Sequence, residues 1–186
     1  MTFYPEDAPV PDGLRGDDFS LRPLRAADVE LDYEAVLATQ ETLRRRTVGR
    51  WPHPGFTIEE NLSDLQGHEA DFHARRGFTY TVMDPTETRC LGCVYVYPSE
   101  VGDGSGHERA DEAVVWFWTR PDCVADDLDR RLLAALAPWL RSDFAFARVR
   151  FRTWANDEHQ TALLREAGPR IVDTRPRGET GTLVFE

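Results

Sequence analysis

Hydrophobic and polar residues alternate along this chain with two different periods, and the two periods predict a mixed α/β domain. Alternation with period two predicts strands at residues 19–24, 78–83, 89–97, 111–119, 147–154, 170–175 and 182–185. Apolar residues at helical spacing predict helices at residues 29–46, 57–76, 128–140 and 158–167. The predicted order is β-α-α-β-β-β-α-β-α-β-β, with residues 1–18 as an irregular arm over the surface and residues 19–186 as a single domain.

Residues 111–140 form the segment around which the other elements are arranged. An apolar strand (DEAVVWFWT) leads through a short turn into an amphipathic helix (LDRRLLAALAPWL). Such a junction is where α/β proteins commonly bind an anionic ligand, because free backbone N–H groups and the positive end of the helix dipole meet there. We therefore expect any ligand site to adjoin this turn.

Composition narrows the class of protein. The chain has 186 residues and a formal net charge of −11, which argues against a general nucleic-acid binder. No apolar run approaches the roughly 20 residues of a membrane helix, and the first residues lack the pattern of a secretion signal, so a cytoplasmic protein is expected. All 22 basic residues are arginine, which indicates a GC-rich, bacterial coding sequence and leaves no lysine for catalysis.

Two short motifs suggest metal chemistry but are better explained otherwise. Cys90 and Cys93 have CxxC spacing, yet positions i and i+3 of a strand face opposite sides of a sheet, so packed thiols are expected. His68 and His73 are five residues apart on a predicted helix, where their side chains diverge by roughly 140°. We expect surface histidines and no metal.

Four segments carry a resemblance to a known family. They are LRPLRAAD at 21–28, CLGCVYVY at 90–97, TWAN at 153–156 and ALLREAG at 162–168. In this order they resemble the first strand and turn, the third strand, and the fifth strand with its glycine-terminated helix of the GNAT N-acetyltransferases. The resemblance implies an α/β fold with a mostly antiparallel, twisted central sheet of about seven strands and about four flanking helices. It also implies acetyl-CoA or another acyl-CoA as cosubstrate.

The family's glycine-rich pyrophosphate loop is poorly matched here. Ala125, Asp127 and Asp129 stand where the family has glycines. Asp126 or Asp127 could cap the helix with its own carboxylate, and a carboxylate about 5 Å from a phosphate repels it by roughly 3 kcal/mol. The sequence is compatible with two interpretations of this turn: a helix capped by its own carboxylate, and a functional phosphate-binding site. The resemblance implies cofactor contacts from Trp118, Thr119, Val124, Ala125, Asp126, Asp127, Leu128, Asp129, Arg130 and Asn156.

The remaining functional residues follow from the same resemblance. Glu112 resembles the family's general base, although it could equally be a charge at a strand end. Trp116, on the same strand face, could wall an acceptor pocket together with Trp51 from a loop, or could belong to the core. Leu164 stands where many members have a tyrosine acid.

Two functions are compatible with this sequence. The first is an acyl-CoA-dependent N-acetyltransferase in which the amine of a small molecule or peptide attacks the thioester directly. The second is a non-catalytic GNAT-fold domain that binds a small molecule or a protein partner. No nucleic acid or membrane is implied, and a homodimer is possible. An open gap between the fourth and fifth strands of the fold would favour the first, and a gap filled by side chains of residues 126–131 would favour the second.

Overall fold

The computed structural model describes residues 3–99, 109–168, 171–175 and 181–186. Its strands form one sheet in the order β1-β2-β3-β4-β5-β6-β8-β7. They are β1 (Leu14–Arg15), β2 (Ser20–Pro23), β3 (Phe78–Met83), β4 (Cys90–Ser99), β5 (Arg109–Thr119), β6 (Arg148–Trp154), β7 (Ile171–Arg175) and β8 (Thr182–Phe185). The helices are α1 (Val29–Thr47), α2 (Ile58–His73), α3 (Pro121–Val124), α4 (Leu128–Ser142) and α5 (Glu158–Glu166).

The predicted fold class is confirmed. All neighbouring strands pair antiparallel except β5 and β6. Over the described residues the structure adds three short elements to the predicted order: the two-residue β1, a 3-10 turn at Ala26–Asp28 and the four-residue α3. Element boundaries differ from the predicted ones by a few residues, as is usual where helix and strand ends fray.

Residues 3–18 do not run only over the surface, contrary to the prediction. Phe3 and Tyr4 are buried, and the ring of Tyr4 packs edge-on to Phe78. The Tyr4 hydroxyl donates to the Pro9 carbonyl at 3.0 Å and accepts from the Ala145 N–H at 2.9 Å. The segment is therefore held by both apolar burial and satisfied hydrogen bonds, which its Pro- and Gly-rich composition did not indicate.

Two apolar clusters lie on opposite faces of the sheet. One packs α4 and α5 on the face that carries Phe117 of β5, with Leu132 and Leu136 fully buried. The other packs α1 and α2 on the face that carries Trp118 and includes Val36 and Leu65. The alternation of side chains along β5 assigns each residue to one of these layers.

The parallel pair β5–β6 is joined over only part of its length. Cα pairing runs from Glu112↔Arg148 to Val115↔Phe151 and then stops. Beyond that point β5 remains paired with β4, and β6 with β8. The two central strands therefore diverge, which opens a gap beside residues 116–119 of β5.

The starts of α1 and α2 are capped in different ways. Thr57 and Glu60 form a complete capping box at the start of α2. Asp28 occupies the N-cap of α1, but its side chain makes no capping hydrogen bond. Its carboxylate instead binds Arg22, at 2.6 and 3.0 Å.

A bulge in β4 overturns the expected arrangement of the two cysteines. The β3–β4 register shifts between Val82↔Gly92 and Met83↔Cys90, so one extra residue enters β4. Cys90 and Cys93 consequently lie in the same core cluster beneath α1. The prediction that they face opposite sides of the sheet was wrong because it assumed a regular strand.

Replacing the glycine of this bulge should destabilise the protein. A Cβ at Gly92 would lie 2.1 Å from the Trp118 carbonyl oxygen, at a φ of +158°. We expect Gly92→Ala to lower the free energy of unfolding by about 3 kcal/mol. Gly67→Ala is the matched control, because Gly67 lies within α2 with nothing within 4 Å of its added Cβ. That change should stabilise by up to about 1 kcal/mol. Urea unfolding measures the free energy of unfolding of both variants. Equal effects of the two substitutions would contradict the close approach of residue 92 to the Trp118 carbonyl oxygen.

Candidate functional site

A cavity of about 320 Å³ lies between α1, α2 and the sheet, next to the point where β5 and β6 diverge. Its volume is at the lower end of the range for small-molecule sites. Trp51 and Trp116, predicted as substrate-binding residues, both line it. The other lining residues are Leu24, Asp32, Val36, Leu43, Arg46, Thr47, Asn61, Asp64, Leu65, His68, Tyr95, Trp118 and Trp154.

Aromatic rings form much of the cavity wall. Trp116 and Trp118 reach it together because they are two residues apart on β5. Tyr95 of β4 stacks on Trp116 with the ring centroids 5.2 Å apart. The indole N–H of Trp118 donates to the Tyr95 hydroxyl at 3.2 Å. Trp118, predicted to contact the cofactor, therefore directs its side chain into this wall.

The polar groups of the cavity come from α1 and α2. Burial raises the pKa of Asp32, whose carboxyl group accepts a hydrogen bond from the Asn61 amide at 2.9 Å. Asp64 accepts from the Trp51 indole N–H at 3.2 Å. His68 lies 2.8 Å from the Tyr97 hydroxyl through Nδ1, and burial lowers its pKa. His68 is thus partly buried in the site and is not the surface histidine that was predicted.

The gap between β5 and β6 is bridged by side chains from other elements. Arg46, at the end of α1, donates to the Phe117 carbonyl at 3.1 Å and to the Asp157 carboxylate at 2.6 Å. Gln160 of α5 donates to the same Phe117 carbonyl at 3.0 Å and accepts from Thr153 of β6 at 2.7 Å. All of these polar side chains are buried. They satisfy the strand carbonyl that the divergence leaves without a β6 partner.

One residue of the turn into α4, Asp127, has the left-handed backbone conformation that favours glycine. Asp127 is the N-cap residue and adopts a left-handed conformation (φ 58°), but its side chain makes no capping hydrogen bond. The carboxylate is 76% exposed. The predicted alternative in which Asp126 or Asp127 caps the helix through its carboxylate is therefore wrong.

Side chains of α4 also span the cleft to α5. The buried Asp129 lies 2.5 Å from Nε2 of His159, and its other oxygen accepts from the Arg130 N–H at 2.9 Å. Arg130 forms an exposed ion pair with Glu166 at 2.8 Å. Of the residues predicted to contact the cofactor, Val124, Ala125 and Asp126 lie in the same turn, whereas Leu128 is buried in the core.

Several solved structures share this fold over nearly their whole length. An acetyltransferase from Salmonella typhimurium that modifies the N-terminal serine of ribosomal protein L7/L12 aligns with a TM-score of 0.71 at 12% identity, covering 91% of this chain and 94% of its own. The microcin C7 self-immunity acetyltransferase MccE, in complex with acetyl-CoA and AMP, aligns with a TM-score of 0.71 at 11% identity, covering 95% and 96%. The chain has the GNAT fold.

A protein from Bordetella pertussis that has been assigned to the GNAT acetyltransferase family is similar as well. It aligns with a TM-score of 0.67 at 18% identity, covering 94% of this chain and 98% of its own. No protein-family model matches the sequence, and no curated protein does. The structural similarity establishes the GNAT fold. Because the sequence identities are so low, the reaction has to be inferred from the residues of the site. Among the described residues, no helix combines the length and apolar character required to span a bilayer.

Glu112, the predicted general base, is placed away from the cavity of this GNAT fold. Its buried carboxylate lies 2.7 Å from Arg150 and 3.6 Å from Arg148. Five residues of β5 separate it from Phe117, or about 16 Å along the strand. Two arginines thus hold Glu112 where the strands are still paired, so its position gives no support to a role as base.

Asn156 anchors α1. Its amide donates to the Arg45 carbonyl at 2.6 Å, beside the end of that helix. Thr119, another predicted cofactor contact, has Gly92 of β4 as its Cα partner. The structure thus brings Trp51, Trp116 and Trp118 together in one cavity and leaves Asn156 and Glu112 outside its lining.

Asp32, Cys90 and Cys93 are the described residues closest to a metal-ligand set, with ligand atoms within 4.8 Å of one another. The Cys93 thiol donates to the Asp32 carboxyl group at 3.5 Å. The hydrogen bond with Cys90, together with burial, raises the pKa of Cys93, and burial raises that of Asp32. Metal binding needs the deprotonated forms, so these shifts favour a hydrogen-bonded, protonated cluster.

The Arg46–Asp157 pair should make a large, pH-dependent contribution to stability. Burial acts to raise the pKa of Asp157, but the Arg46 charge and the Gln160 N–H outweigh it, so the pKa lies below the usual value. Asp157→Asn leaves a buried arginine unpaired and should cost about 3–5 kcal/mol at pH 7. A carboxyl group whose pKa is lowered by folding stabilises the folded state at pH values above its unfolded-state pKa, which is about 3.9. The stability difference between the wild type and Asp157→Asn should therefore shrink as the pH falls below about 4.

Urea unfolding at pH 7 and pH 3 measures this difference. Asp126→Asn serves as the control, because it removes an exposed carboxylate whose side chain has no partner among the described residues. It should change stability by less than about 0.5 kcal/mol at either pH. A cost for Asp157→Asn that stays constant between the two pH values would contradict the coupling to Arg46.

Proposed function

We propose that the protein is an acyl-CoA-dependent N-acetyltransferase that acetylates the amine of a small molecule or peptide. The observation that carries the proposal is the position of the aromatic cavity, which adjoins the gap where β5 and β6 diverge. An acceptor in the cavity and an acyl group in the gap would meet beside residues 116–119. Related support comes from a protein of similar fold solved with acetyl-CoA.

Acyl-CoA would supply the thioester that the amine attacks, and several groups of this chain must move to admit it. Arg46 and Gln160 would have to release the Phe117 carbonyl. The Asp129–His159 contact across the α4–α5 cleft would have to open. No side chain caps α4 at Asp127, and Asp129 already accepts from the Arg130 N–H, so the Leu128 and Asp129 N–H groups would be the ones to bind an anion.

His68 is the group best placed to remove the amine proton. Burial lowers the pKa of His68, which favours the neutral ring, and the tautomer that donates Nδ1–H to Tyr97 leaves Nε2 as the acceptor. The Thr119 N–H, on the same edge of β5 as the Phe117 carbonyl two residues earlier, would polarise the carbonyl under attack. Glu112 would stabilise the sheet through its ion pairs with Arg148 and Arg150 and would take no part in the reaction.

A second candidate function is a non-catalytic GNAT-fold domain that binds a small molecule in the aromatic cavity. The observation favouring it is the bridged gap, in which Arg46, Gln160 and Asp157 form a buried hydrogen-bond network. Asp129 and Arg130, both within residues 126–131, also reach across to α5. In this case the cavity alone is functional.

Binding of acetyl-CoA separates the two candidates. Saturation at a hundredfold excess over Kd should stabilise the acetyltransferase by about 2.7 kcal/mol, seen as a thermal shift and by calorimetry. Asp127→Gly removes a carboxylate near the phosphate position and suits the left-handed backbone, so it should tighten binding several-fold. The matched change at Asp126 should have a smaller effect. Absence of binding in the wild type, Asp127→Gly and Gln160→Ala would reject the acetyltransferase and leave the binding domain.

Replacing His68 tests the proposed base. His68→Gln should lower kcat about 100-fold, because a neutral amide cannot accept the proton. In the wild type the rate should rise with pH through a pKa lowered by burial and then level off, and His68→Gln should lose this limb. His73→Gln, on an exposed position of the same helix, should behave as wild type. An unchanged pH–rate profile in His68→Gln would exclude the role.

A further inference from the structure

We infer that Tyr97, together with Asp71, is a positioning residue for His68, and that it fixes the ring tautomer with the proton on Nδ1. The inference rests on the proposed function, in which His68 takes the amine proton, and it names the groups that prepare this base. Three observations support it: the hydrogen-bond geometry at Nδ1, the balance of donors and acceptors at the Tyr97 hydroxyl, and the packing that holds the Tyr97 ring.

Two hydroxyl groups of the sheet meet Nδ1 of His68. The Tyr97 hydroxyl lies 2.8 Å from this nitrogen, and the Thr79 hydroxyl lies 3.3 Å from it. The two hydroxyl oxygens are 3.5 Å apart. Thr79 is fully buried and His68 is partly buried, so water competes little for these contacts. Nε2 makes no hydrogen bond to a described residue, and His68 lines the cavity, so Nε2 is the nitrogen left for a ligand.

The direction of the hydrogen bond between Tyr97 and His68 follows from the position of Asp71. Asp71 is three residues after His68 on α2, so both side chains lie on the same side of the helix. Burial raises the pKa of Tyr97, a hydrogen bond from Thr79 lowers it, and Asp71 raises it through its charge and as a hydrogen-bond acceptor. An ionised carboxylate can only accept, so the single Tyr97 proton points to Asp71. The Tyr97 oxygen then accepts from Nδ1–H of His68.

Packing fixes the Tyr97 ring in the orientation that this arrangement needs. Its centroid lies 5.4 Å from that of Trp116 and 6.3 Å from that of His68. On another side the ring lies directly on the backbone of Gly77, where an added Cβ would be 2.3 Å from a ring carbon. A ring held in this way keeps its hydroxyl at one nitrogen of His68. Tyr97→Phe should therefore preserve the packing and remove only the hydroxyl.

The same contacts stabilise the protonated ring during the reaction. When Nε2 takes the amine proton, the imidazolium still donates from Nδ1 to Tyr97, whose oxygen is made a better acceptor by the bond to Asp71. Nε2 then returns the proton to the departing thiolate as the C–N bond forms and the C–S bond breaks. The starting tautomer of His68 is restored, and no proton has to leave through Tyr97.

Several titratable groups lie around His68. Burial lowers its pKa, and the charges of Asp64 and Asp71 oppose this effect. The groups on the elements packed against His68 are Asp64 and Asp71 of α2, Tyr95 and Tyr97 of β4, and Asp32 of α1, which lines the same cavity. Burial raises the pKa of Asp32, which favours its neutral form. Asp71 is thus the charge that acts on His68 both directly and through Tyr97.

NMR of the whole protein with ¹⁵N-labelled histidine tests the tautomer in the absence of acyl-CoA and acceptor. The ¹⁵N chemical shifts distinguish a protonated from an unprotonated ring nitrogen, and His68→Gln assigns the signals. At a pH above the pKa of His68, we expect Nδ1 to be protonated and Nε2 unprotonated in the wild type. The Nε2-protonated form should appear in Tyr97→Phe. A wild-type ring protonated on Nε2, or an unchanged tautomer in Tyr97→Phe, would overturn the inference.

Tyr95→Phe is the matched control for the hydroxyl. Tyr95 stands two residues before Tyr97 and its ring also contacts His68, but its hydroxyl accepts from the Trp118 indole N–H. This variant should keep the wild-type tautomer. Asp71→Asn should lower the pKa of His68, because the Asp71 charge raises it. Glu69→Gln should lower that pKa less, since residue 69 points about 100° away from His68 around the helix axis.

Kinetics provide the second readout. Tyr97→Phe should lower kcat about tenfold, leave KM for the acceptor within about twofold, and move the pH–rate limb to lower pH, because the imidazolium loses its acceptor. A Tyr97→Phe enzyme with wild-type kcat and pH profile would contradict the positioning role. The tautomer is measured without substrates, so a protein that shows the expected tautomer but no acetylation counts against the proposed reaction and not against the Tyr97–His68 arrangement.

Discussion

The buried contact between Arg46 and Asp157 is the constraint on which the functional end of the molecule depends. Two parallel strands that diverge leave a backbone carbonyl, that of Phe117, without its ladder partner. An unsatisfied buried carbonyl is costly, so a donor must reach it. Arg46 and Gln160 supply the donors, and Asp157 neutralises the arginine. The same groups therefore maintain the fold and occupy the gap that an acyl-CoA would enter.

This dual use explains why fold and activity have to be argued separately. The GNAT fold has a divergent strand pair at its centre, and the divergence is present here in full. Whether the gap can bind acyl-CoA depends on whether Arg46 and Gln160 can exchange their hydrogen bonds within the protein for hydrogen bonds to a ligand. An ion pair with both partners buried resists such exchange, because opening it exposes a charge to a low-dielectric surrounding. Arg46 also lines the aromatic cavity, so the same ion pair borders both the gap and the cavity.

Several site residues could be predicted from sequence because they follow local rules. Trp116 and Trp118 share a strand face by simple alternation, and Thr57 with Glu60 forms a capping box readable from four residues. Other predictions failed although the residue stands at the position the local rule requires. Asp127 occupies the N-cap yet leaves its carboxylate in solvent.

The sequence by itself determined the order of elements, the strand–turn–helix junction and the identity of the fold, because hydrophobic periodicity and turn residues act over a few neighbouring positions. Tertiary structure alone decided which polar groups meet. Arg46 and Asp157 are 111 positions apart, and His68 enters the cavity only because α2 packs against Tyr95 and Tyr97. No pattern along the chain encodes such a meeting, since it depends on how layers pack. Function here is decided at that level.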